Sequence, residues 1–202
     1  MRAVLAVCVA ALACSGASSA ASAGGLTKQE VTIAGGGGVQ LACGFVLPAG
    51  TAPDGGWPGI VFFPRLGLVH AYEEDGDQTL FAADGFASIS CDPRGTGASD
   101  GSFDLAGPSD AEDAQAIFDW LAAQPGVSPS HIGAYGEDLG GAEVWNAAVA
   151  GVPFKTIVPV YTWSSLRRAL KPTGAVNVKT LALFTAAGPS TAWNTSPGIA
   201  AR

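Results

Sequence analysis

The stretch that decides the fold is GAYGEDLGG, residues 133–141. It continues a short apolar segment, and its last two glycines open a stretch of helical composition at 139–150. Glycine is needed on both sides of the central residue, because a sharp turn from strand to helix brings backbone atoms into close contact. This layout is that of a nucleophile elbow, whose central residue is usually serine. Here the central residue is Asp138.

Working outward, four short apolar segments are typical of strands buried on both faces of a parallel sheet. They lie at residues 59–63, 86–91, 131–135 and 155–160. Helical patterns separate them, one before Gly85, one at 111–123 and one at 139–150. For the middle helix, Ser109 with Glu112 three residues later predicts a capping box.

The chain before residue 48 predicts an antiparallel hairpin, since extended segments at 31–33 and 39–47 flank the four glycines of 35–38. No Lys-Ser or Lys-Thr pair and no helix follow these glycines, so they do not predict a phosphate-binding loop. The pattern therefore predicts an α/β fold with a mostly parallel sheet, helices on both faces and an N-terminal antiparallel hairpin.

The first 23 residues have the pattern of a secretory signal, with Arg2, an apolar run and small residues ending at Ala23. We predict cleavage there, a single domain at 24–202, and a secreted, periplasmic or otherwise extracytoplasmic location. A retained anchor or a lipid on Cys14 is the lesser alternative. No later stretch has the ~18 uninterrupted apolar residues of a membrane span, so no membrane association is expected after cleavage.

The net charge and the cysteines limit the kinds of ligand and cofactor that we expect. With 17 acidic and 10 basic residues, the net charge of −7 argues against nucleic acid as a partner. Cys43 and Cys91 remain after cleavage, and they either form a disulfide or stay as buried thiols. The sequence has no C-x-x-C and no paired histidines, so it predicts no zinc site, and it gives no sign of another cofactor.

Two further motifs resemble functional sites. A literal G-x-S-x-G occurs at 97–101, but a Gly107-Pro108 break follows it instead of a helix, so Ser99 is not predicted to be a nucleophile. The acidic run at 73–77 is predicted to be a solvated loop, with a cation site as the alternative.

The segment DPRGTGASDG, residues 92–101, resembles the D-x-R-G-x-G-x-S-x-G segment of the X-prolyl dipeptidyl peptidase and cocaine esterase-like hydrolases. The helix ending at 119–125, the elbow and residues 157–166 also resemble that family in sequence and spacing. The resemblance implies an α/β-hydrolase acting on a small ester, amide or peptide through serine, an acid and then histidine. It also implies that Asp92 and Arg94 form a pair that pins their loop.

The chain departs from this family at three points. Asp138 replaces the serine, and no histidine follows it, since the only two are His70 and His131. We expect His131 at the opposite end of the sheet, and His70 on the correct edge but out of order. Residues 64–67 replace the family's oxyanion element, which leaves the amide of Leu139 and, as a second donor, that of Leu66.

These departures favour a hydrolase-family domain whose catalysis is impaired or lost. One alternative is an enzyme with Asp138 as covalent nucleophile, which resembles haloalkane dehalogenases and epoxide hydrolases; another is a secreted, non-catalytic binding module. The structural interpretation of Asp138 is a helix N-cap. The family's later strands are expected to be missing after about Phe184, so self-association through an apolar sheet edge is predicted, and residues 188–202 are predicted to be loosely ordered.

Overall fold

The computed structural model describes residues 25–175 and residue 178. The strands are β1 (Thr27–Ala34), β2 (Gln40–Leu47), β3 (Trp57–Phe63), β4 (Ala87–Cys91), β5 (Val127–Glu137) and β6 (Ile157–Val160). The helices are α1 (His70–Glu73), α2 (Thr79–Ala83), α3 (Pro108–Ala122), α4 (Leu139–Ala150) and α5 (Leu166–Leu170), with a 3-10 turn at Gly36–Gly38 and a π turn at Glu74–Gln78.

The strands form one sheet in the order β1-β2-β4-β3-β5-β6. β1 is antiparallel to β2, and β2 is antiparallel to β4, whereas β4, β3, β5 and β6 run parallel. The predicted α/β fold with an N-terminal hairpin is confirmed. The carboxyl ends of the parallel strands meet at one edge of the sheet, where ligands bind in open α/β folds.

Helices cover both faces of the sheet, as predicted. Ile89 of β4 belongs to the apolar core that includes Ile117 of α3, while its neighbour Ser88 contacts Gln78 of the π turn on the opposite face. On that opposite face the ring of Phe62 packs against Phe81 of α2. Successive side chains of a strand point to opposite faces, so α3 and α4 lie on one face and α1 and α2 on the other.

The predicted capping box at the start of α3 is wrong. The helix begins at Pro108, so Ser109 and Glu112 both lie within it. Gly107 is the N-cap residue, and its amide donates to the side chain of Asp110 at 2.9 Å. Proline suits the first helical position because its φ is fixed near the helical value and its missing N–H is not needed there. The predicted bounds of α4, by contrast, are confirmed.

Cys43 and Cys91 face each other across β2 and β4 and form a disulfide. Of the two alternatives that the sequence left open, the structure therefore has the bridge. Within residues 25–175, no helix combines the length and the apolar character that a membrane crossing requires. The predicted signal at 1–23, the sheet end near Phe184 and the tail at 188–202 lie outside the described residues.

Candidate active site

Asp138 is the single residue between the end of β5 and the start of α4. Its backbone has φ 54° and ψ −113°, a conformation that residues with a side chain rarely adopt. The amide of Asp138 donates to the carbonyl of Val160 at 3.0 Å, and its carbonyl accepts from Ala142 at 3.2 Å. Such strained conformations persist where the surrounding structure fixes them, and they cluster at functional sites.

Two glycines allow this turn. A Cβ on Gly136 would lie 2.4 Å from the backbone of Gly140, and a Cβ on Gly140 would lie 2.0 Å from the carbonyl oxygen of Phe63. The first turn of α4 therefore packs directly against the backbone at the carboxyl end of β3. The structure has the elbow geometry that the sequence predicts.

Asp138 is the N-cap residue of α4, but its carboxylate does not cap the helix as predicted. Its half-buried side chain makes no capping hydrogen bond, nor any other hydrogen bond within residues 25–175. The physical reason is the backbone: an N-cap residue takes extended φ and ψ angles so that its side chain reaches the second or third helical amide. Asp138 has a positive φ instead. Its carboxylate is thus left available at the elbow.

The two predicted oxyanion residues lie at the same edge as Asp138. Leu139 is the first residue of α4, where amides have no partner within the helix. Leu66 lies in the turn after β3, and its amide donates no hydrogen bond in the described part of the chain. The Leu66 side chain packs against an apolar cluster that contains Leu139. The fold therefore brings the two residues together.

His70 is not placed to serve Asp138. Its Nδ1 lies 2.7 Å from Oδ1 of Asp92, and its Nε2 lies 3.0 Å from Oε2 of Glu30. The hydrogen bond to Asp92 raises the pKa of His70, against the opposing effect of burial. Asp92 follows β4 and Asp138 follows β5, with β3 between them, which separates the two by about 10 Å across the sheet.

His131 lies at the far end of the strand that leads to the elbow, as expected. It is exposed, and its Nδ1 lies 2.9 Å from Oγ of Ser128. About 20 Å of extended chain separates it from the turn at Asp138. The elbow therefore has neither of the histidines of this chain beside it.

The predicted pair of Asp92 and Arg94 is also wrong. Arg94 reaches toward α3 and binds Asp113 through two nitrogens, at 2.7 and 2.6 Å. Asp92 lies on the opposite face, where its carboxylate accepts from His70 and from the amide of Ala98 at 2.8 Å. Burial opposes ionisation of Asp92, but these hydrogen bonds hold its pKa below the usual value. Each residue pins the loop through its own partners.

Ser99 is a structural residue, in agreement with the sequence analysis. Its side chain is buried, and its hydroxyl donates to the carbonyl of Asp92 at 2.7 Å and accepts from the amide of Ala42 at 2.9 Å. The hydroxyl is thus committed to holding the loop against β2 and is not presented to a substrate.

The acidic run at 73–77 is not the solvated loop that we predicted. Glu73 is buried and Glu74 is half-buried, while Asp75 is exposed. The run belongs to α1 and the π turn, which pack on the sheet and turn some of these carboxyls inward. Burial, reinforced by the charge of Asp77, raises the pKa of Glu73 to about 7.

An acidic cavity of about 550 Å³ lies on the α1 and α2 face beside the elbow. Glu137, which precedes Asp138, forms part of its wall, and Arg65 lies 3.4 Å from that carboxylate. Glu73 also contributes to it, and a carboxyl with a pKa near 7 can act as a general base or acid. Glu73 could not be singled out from the sequence because nothing local distinguishes it from its acidic neighbours. The lining residues are Arg65, Ala71, Tyr72, Glu73, Asp75, Gly76, Asp77, Tyr135 and Glu137.

Solved structures with this fold include several hydrolases. A hypothetical protein from Pseudomonas aeruginosa is 26% identical with a TM-score of 0.66, over 81% of this chain and 52% of that one. A dienelactone hydrolase-like promiscuous phosphotriesterase from metagenomic libraries is 27% identical with a TM-score of 0.55, over 69% and 59%. An acetyl xylan esterase from Paenibacillus sp. R4 is 20% identical with a TM-score of 0.65, over 83% and 59%.

The chain thus spans between half and three-fifths of the length of these three proteins. No curated protein matches it. The structural likeness confirms the α/β-hydrolase fold, and residues 36–199 match the family described as X-Pro dipeptidyl-peptidase (S15 family). The chain is therefore a hydrolase-type domain that belongs to the X-Pro dipeptidyl-peptidase (S15) family.

Proposed function

We propose that this chain is an ester- or amide-hydrolase domain of the S15 family whose own turnover is impaired. The observation that carries the proposal is Asp138, which occupies a complete elbow with no imidazole beside it. The amides of Leu139 and Leu66 are the proposed oxyanion donors of this site. The nucleophile and its base are what the site lacks.

The chemistry explains why this substitution matters. Serine attacks a carbonyl after a histidine takes its proton, and the resulting ester is later hydrolysed with the same base. When a carboxylate adds to an ester or amide carbonyl, it is a better leaving group than the alkoxide or amine, so the addition reverses. Residual acceleration would come from substrate binding and the oxyanion positions alone.

The test is turnover of aryl esters and X-prolyl anilides by the full chain and by Asp138→Ala, Asp138→Ser and the exposed-loop control Asp100→Asn. We expect the wild type to match Asp138→Ala and the control. Asp138→Ser is expected to form acyl-enzyme at most slowly, since no base is adjacent. Wild-type turnover that disappears in Asp138→Ala and persists in Asp100→Asn would contradict the proposal.

A second candidate is an enzyme with Asp138 as covalent nucleophile. It is favoured by the unpaired carboxylate at the elbow and by Glu73, a carboxyl with a pKa of about 7 in the neighbouring cavity. A carboxylate attacks an alkyl carbon directly, and a base is then needed only to hydrolyse the ester. Incubation with haloalkanes and epoxides would leave an alkyl ester on the Asp138 peptide, detectable by mass spectrometry and absent in Asp138→Asn.

A third candidate is a secreted binding module that keeps the pocket without turnover. It is supported by the cavity of about 550 Å³ and by the excess of carboxylates in its wall, which suits a cationic small molecule. Saturable binding of a substrate that is recovered unchanged would single it out. Equal affinity in Glu137→Gln and the wild type would contradict the proposal that this cavity binds the ligand.

Export from the cytoplasm is part of the proposal. It is supported by the signal pattern at 1–23 and by the disulfide between Cys43 and Cys91, since such bridges persist in oxidising compartments. Expression of the full chain with fractionation tests it. A mature protein that starts at Gly24 outside the cytoplasm is expected, and an uncleaved cytoplasmic protein would contradict it.

We also propose self-association through the sheet edge. Among the described strands β1 and β6 lie at the two edges of the sheet, and Val158 and Tyr161 at the β6 edge are exposed. An uncovered strand offers unpaired backbone groups and apolar side chains to a second copy. Sedimentation should detect a dimer that Val158→Lys weakens, and a monodisperse monomer would contradict the proposal.

A further inference from the structure

Three side chains from three structural elements meet on the face of the sheet that carries α1 and α2. Glu30 comes from β1, His70 from the start of α1, and Glu74 from the π turn. One potential ligand atom from each lies within 4.8 Å of the other two. The closest approach is 3.0 Å, between Nε2 of His70 and Oε2 of Glu30.

The imidazole of His70 is held in one orientation from outside this group. Oδ1 of Asp92 lies 2.7 Å from Nδ1 and also accepts the backbone amide of His70 at 2.7 Å. Asp92 is only 2% exposed. A carboxylate bound to one ring nitrogen fixes the proton there and directs the lone pair of the other nitrogen outward, which is how metal-binding histidines are oriented. Here that other nitrogen, Nε2, is directed toward Glu30.

The fold also leaves space at this point. Gly44 of β2 lies below the group, and a Cβ there would be 2.8 Å from Oε2 of Glu74 and 3.1 Å from the ring of His70. Lys28 lies on the other side of Glu74, 3.8 Å from Oε1 and 3.1 Å from Asp75. One oxygen of Glu74 therefore faces the lysine, while the other faces His70.

We propose that Glu30, His70 and Glu74 bind a divalent transition-metal ion of the zinc type, at a site separate from the elbow. Bonds of 2.0 to 2.2 Å place neighbouring ligands of a tetrahedral ion roughly 3.3 Å apart, close to the approach between His70 and Glu30. A turn of the half-buried Glu74 side chain completes the set. The fourth position is left to water.

The donor set decides the class of ion. An imidazole with two carboxylates suits Zn²⁺, Cu²⁺ or Ni²⁺, whereas Mg²⁺ and Ca²⁺ prefer oxygen ligands alone. The ion replaces the proton between His70 and Glu30, and its charge of +2 is matched by the two glutamates. Motif searches miss this site because its ligands are neither paired histidines nor cysteines, and Glu30 lies far from the other two in sequence.

The site is tested on the full chain after treatment with a chelator, by calorimetric titration with Zn²⁺ and by thermal unfolding. We expect binding of one Zn²⁺ per chain and a melting temperature that rises with Zn²⁺ and not with Mg²⁺, since an ion that binds the folded state stabilises it. Activity is not needed as a readout.

Glu30→Gln is the informative variant, because its side chain is largely exposed and the change should leave the fold intact. We expect it to lower Zn²⁺ affinity by at least ~10-fold, a loss typical of damaged metal sites. Asp75→Asn and His131→Ala are the controls, and both should bind Zn²⁺ like the wild type. Absence of Zn²⁺ binding in the wild type, or equal affinity in the wild type and Glu30→Gln, would overturn the proposal.

Discussion

Nδ1 of His70 lies 2.7 Å from Oδ1 of Asp92, in a buried contact at the end of β4. This relationship separates the histidine from the elbow at Asp138, because β3 lies between β4 and β5. His70, the histidine expected at the same edge of the sheet as Asp138, is thus bound to the loop that follows β4. The elbow therefore has no imidazole beside it, and His70 belongs instead to the group that it forms with Glu30 and Glu74.

Removing the Asp92 carboxylate should destabilise the fold. In Asp92→Ala the ring and amide of His70 and the amide of Ala98 lose their acceptor. Breaking a buried pair of this kind costs about 3–5 kcal/mol. Urea unfolding measures the loss, and Asp100→Ala on the exposed part of the same loop should change little. Equal midpoints for the two variants would contradict this role of Asp92.

Ser99→Ala should lower the stability of the fold, and Ser99 of the wild type should not react with a serine-directed probe. The variant leaves the half-buried amide of Ala42 without its acceptor and the carbonyl of Asp92 without its buried donor, which costs about 1–3 kcal/mol. A fluorophosphonate probe tests the reactivity of Ser99, since such probes modify activated serines. We expect no adduct on Ser99 in the wild type, and an adduct there would show that the hydroxyl is exposed and activated.

The elbow should tolerate no side chain at Gly140. The added Cβ of Gly140→Ala would lie 2.0 Å from the carbonyl oxygen of Phe63, so the backbone of β3 or α4 would have to shift. We expect a loss above about 3 kcal/mol or failure to fold, beyond the usual range for overpacking. Gly59→Ala is the control, because its Cβ meets only side-chain atoms, at 3.0 Å or more. A similar loss in both variants would contradict the close packing of α4 on β3.

Stability should fall as the pH rises from about 4 to about 7. Burial raises the pKa of Asp110 from 3.8 to about 7, and that of Glu73 from 4.5 to about 7. The folded state therefore binds these protons more tightly than the unfolded state. The resulting stability is fully present below the unfolded values and is lost as the pH passes the folded ones.

Asp110→Asn isolates one of these groups. Its amide oxygen can still accept from Gly107, so the start of α3 is kept while the titration is removed. Unfolding free energies measured in urea across this pH range should show a shallower slope for the variant than for the wild type. Parallel curves would mean that the pKa of Asp110 is not raised in the folded protein.

The disulfide between Cys43 and Cys91 should contribute to stability. The bridge joins β2 to β4 and closes a loop with a sequence separation of 48. Replacing both residues with alanine should cost about 2–5 kcal/mol, the usual range for removal of a native disulfide from a small domain. Dithiothreitol should lower the melting temperature of the wild type alone. An equal response in the double variant would show that the bridge is not the cause.

Much of the fold was predictable from local patterns. Residues 133–141 determined the elbow, the position of Asp138 and the start of α4, because a turn between glycines is specified by the steric limits of a few adjacent residues. Apolar runs determined the parallel strands, since burial on both faces requires them. The predicted start of α3 was wrong, because two residue pairs in this segment can each begin a helix. Ser109 with Glu112 was the predicted pair, whereas the folded chain uses Pro108 with Asp110.

The partners of individual side chains were decided by the tertiary structure. The sequence determined that Asp138 replaces serine and that no histidine follows it. Only the folded chain decided that His70 binds Asp92 and Glu30, that Arg94 binds Asp113, that Glu73 is buried, and that Cys43 and Cys91 are bridged. The physical reason is the distance along the chain between the interacting groups. Turns and strands follow from contacts between neighbours in the chain. Side-chain hydrogen bonds, burial and ion binding depend on groups that the sheet brings together from positions tens of residues apart.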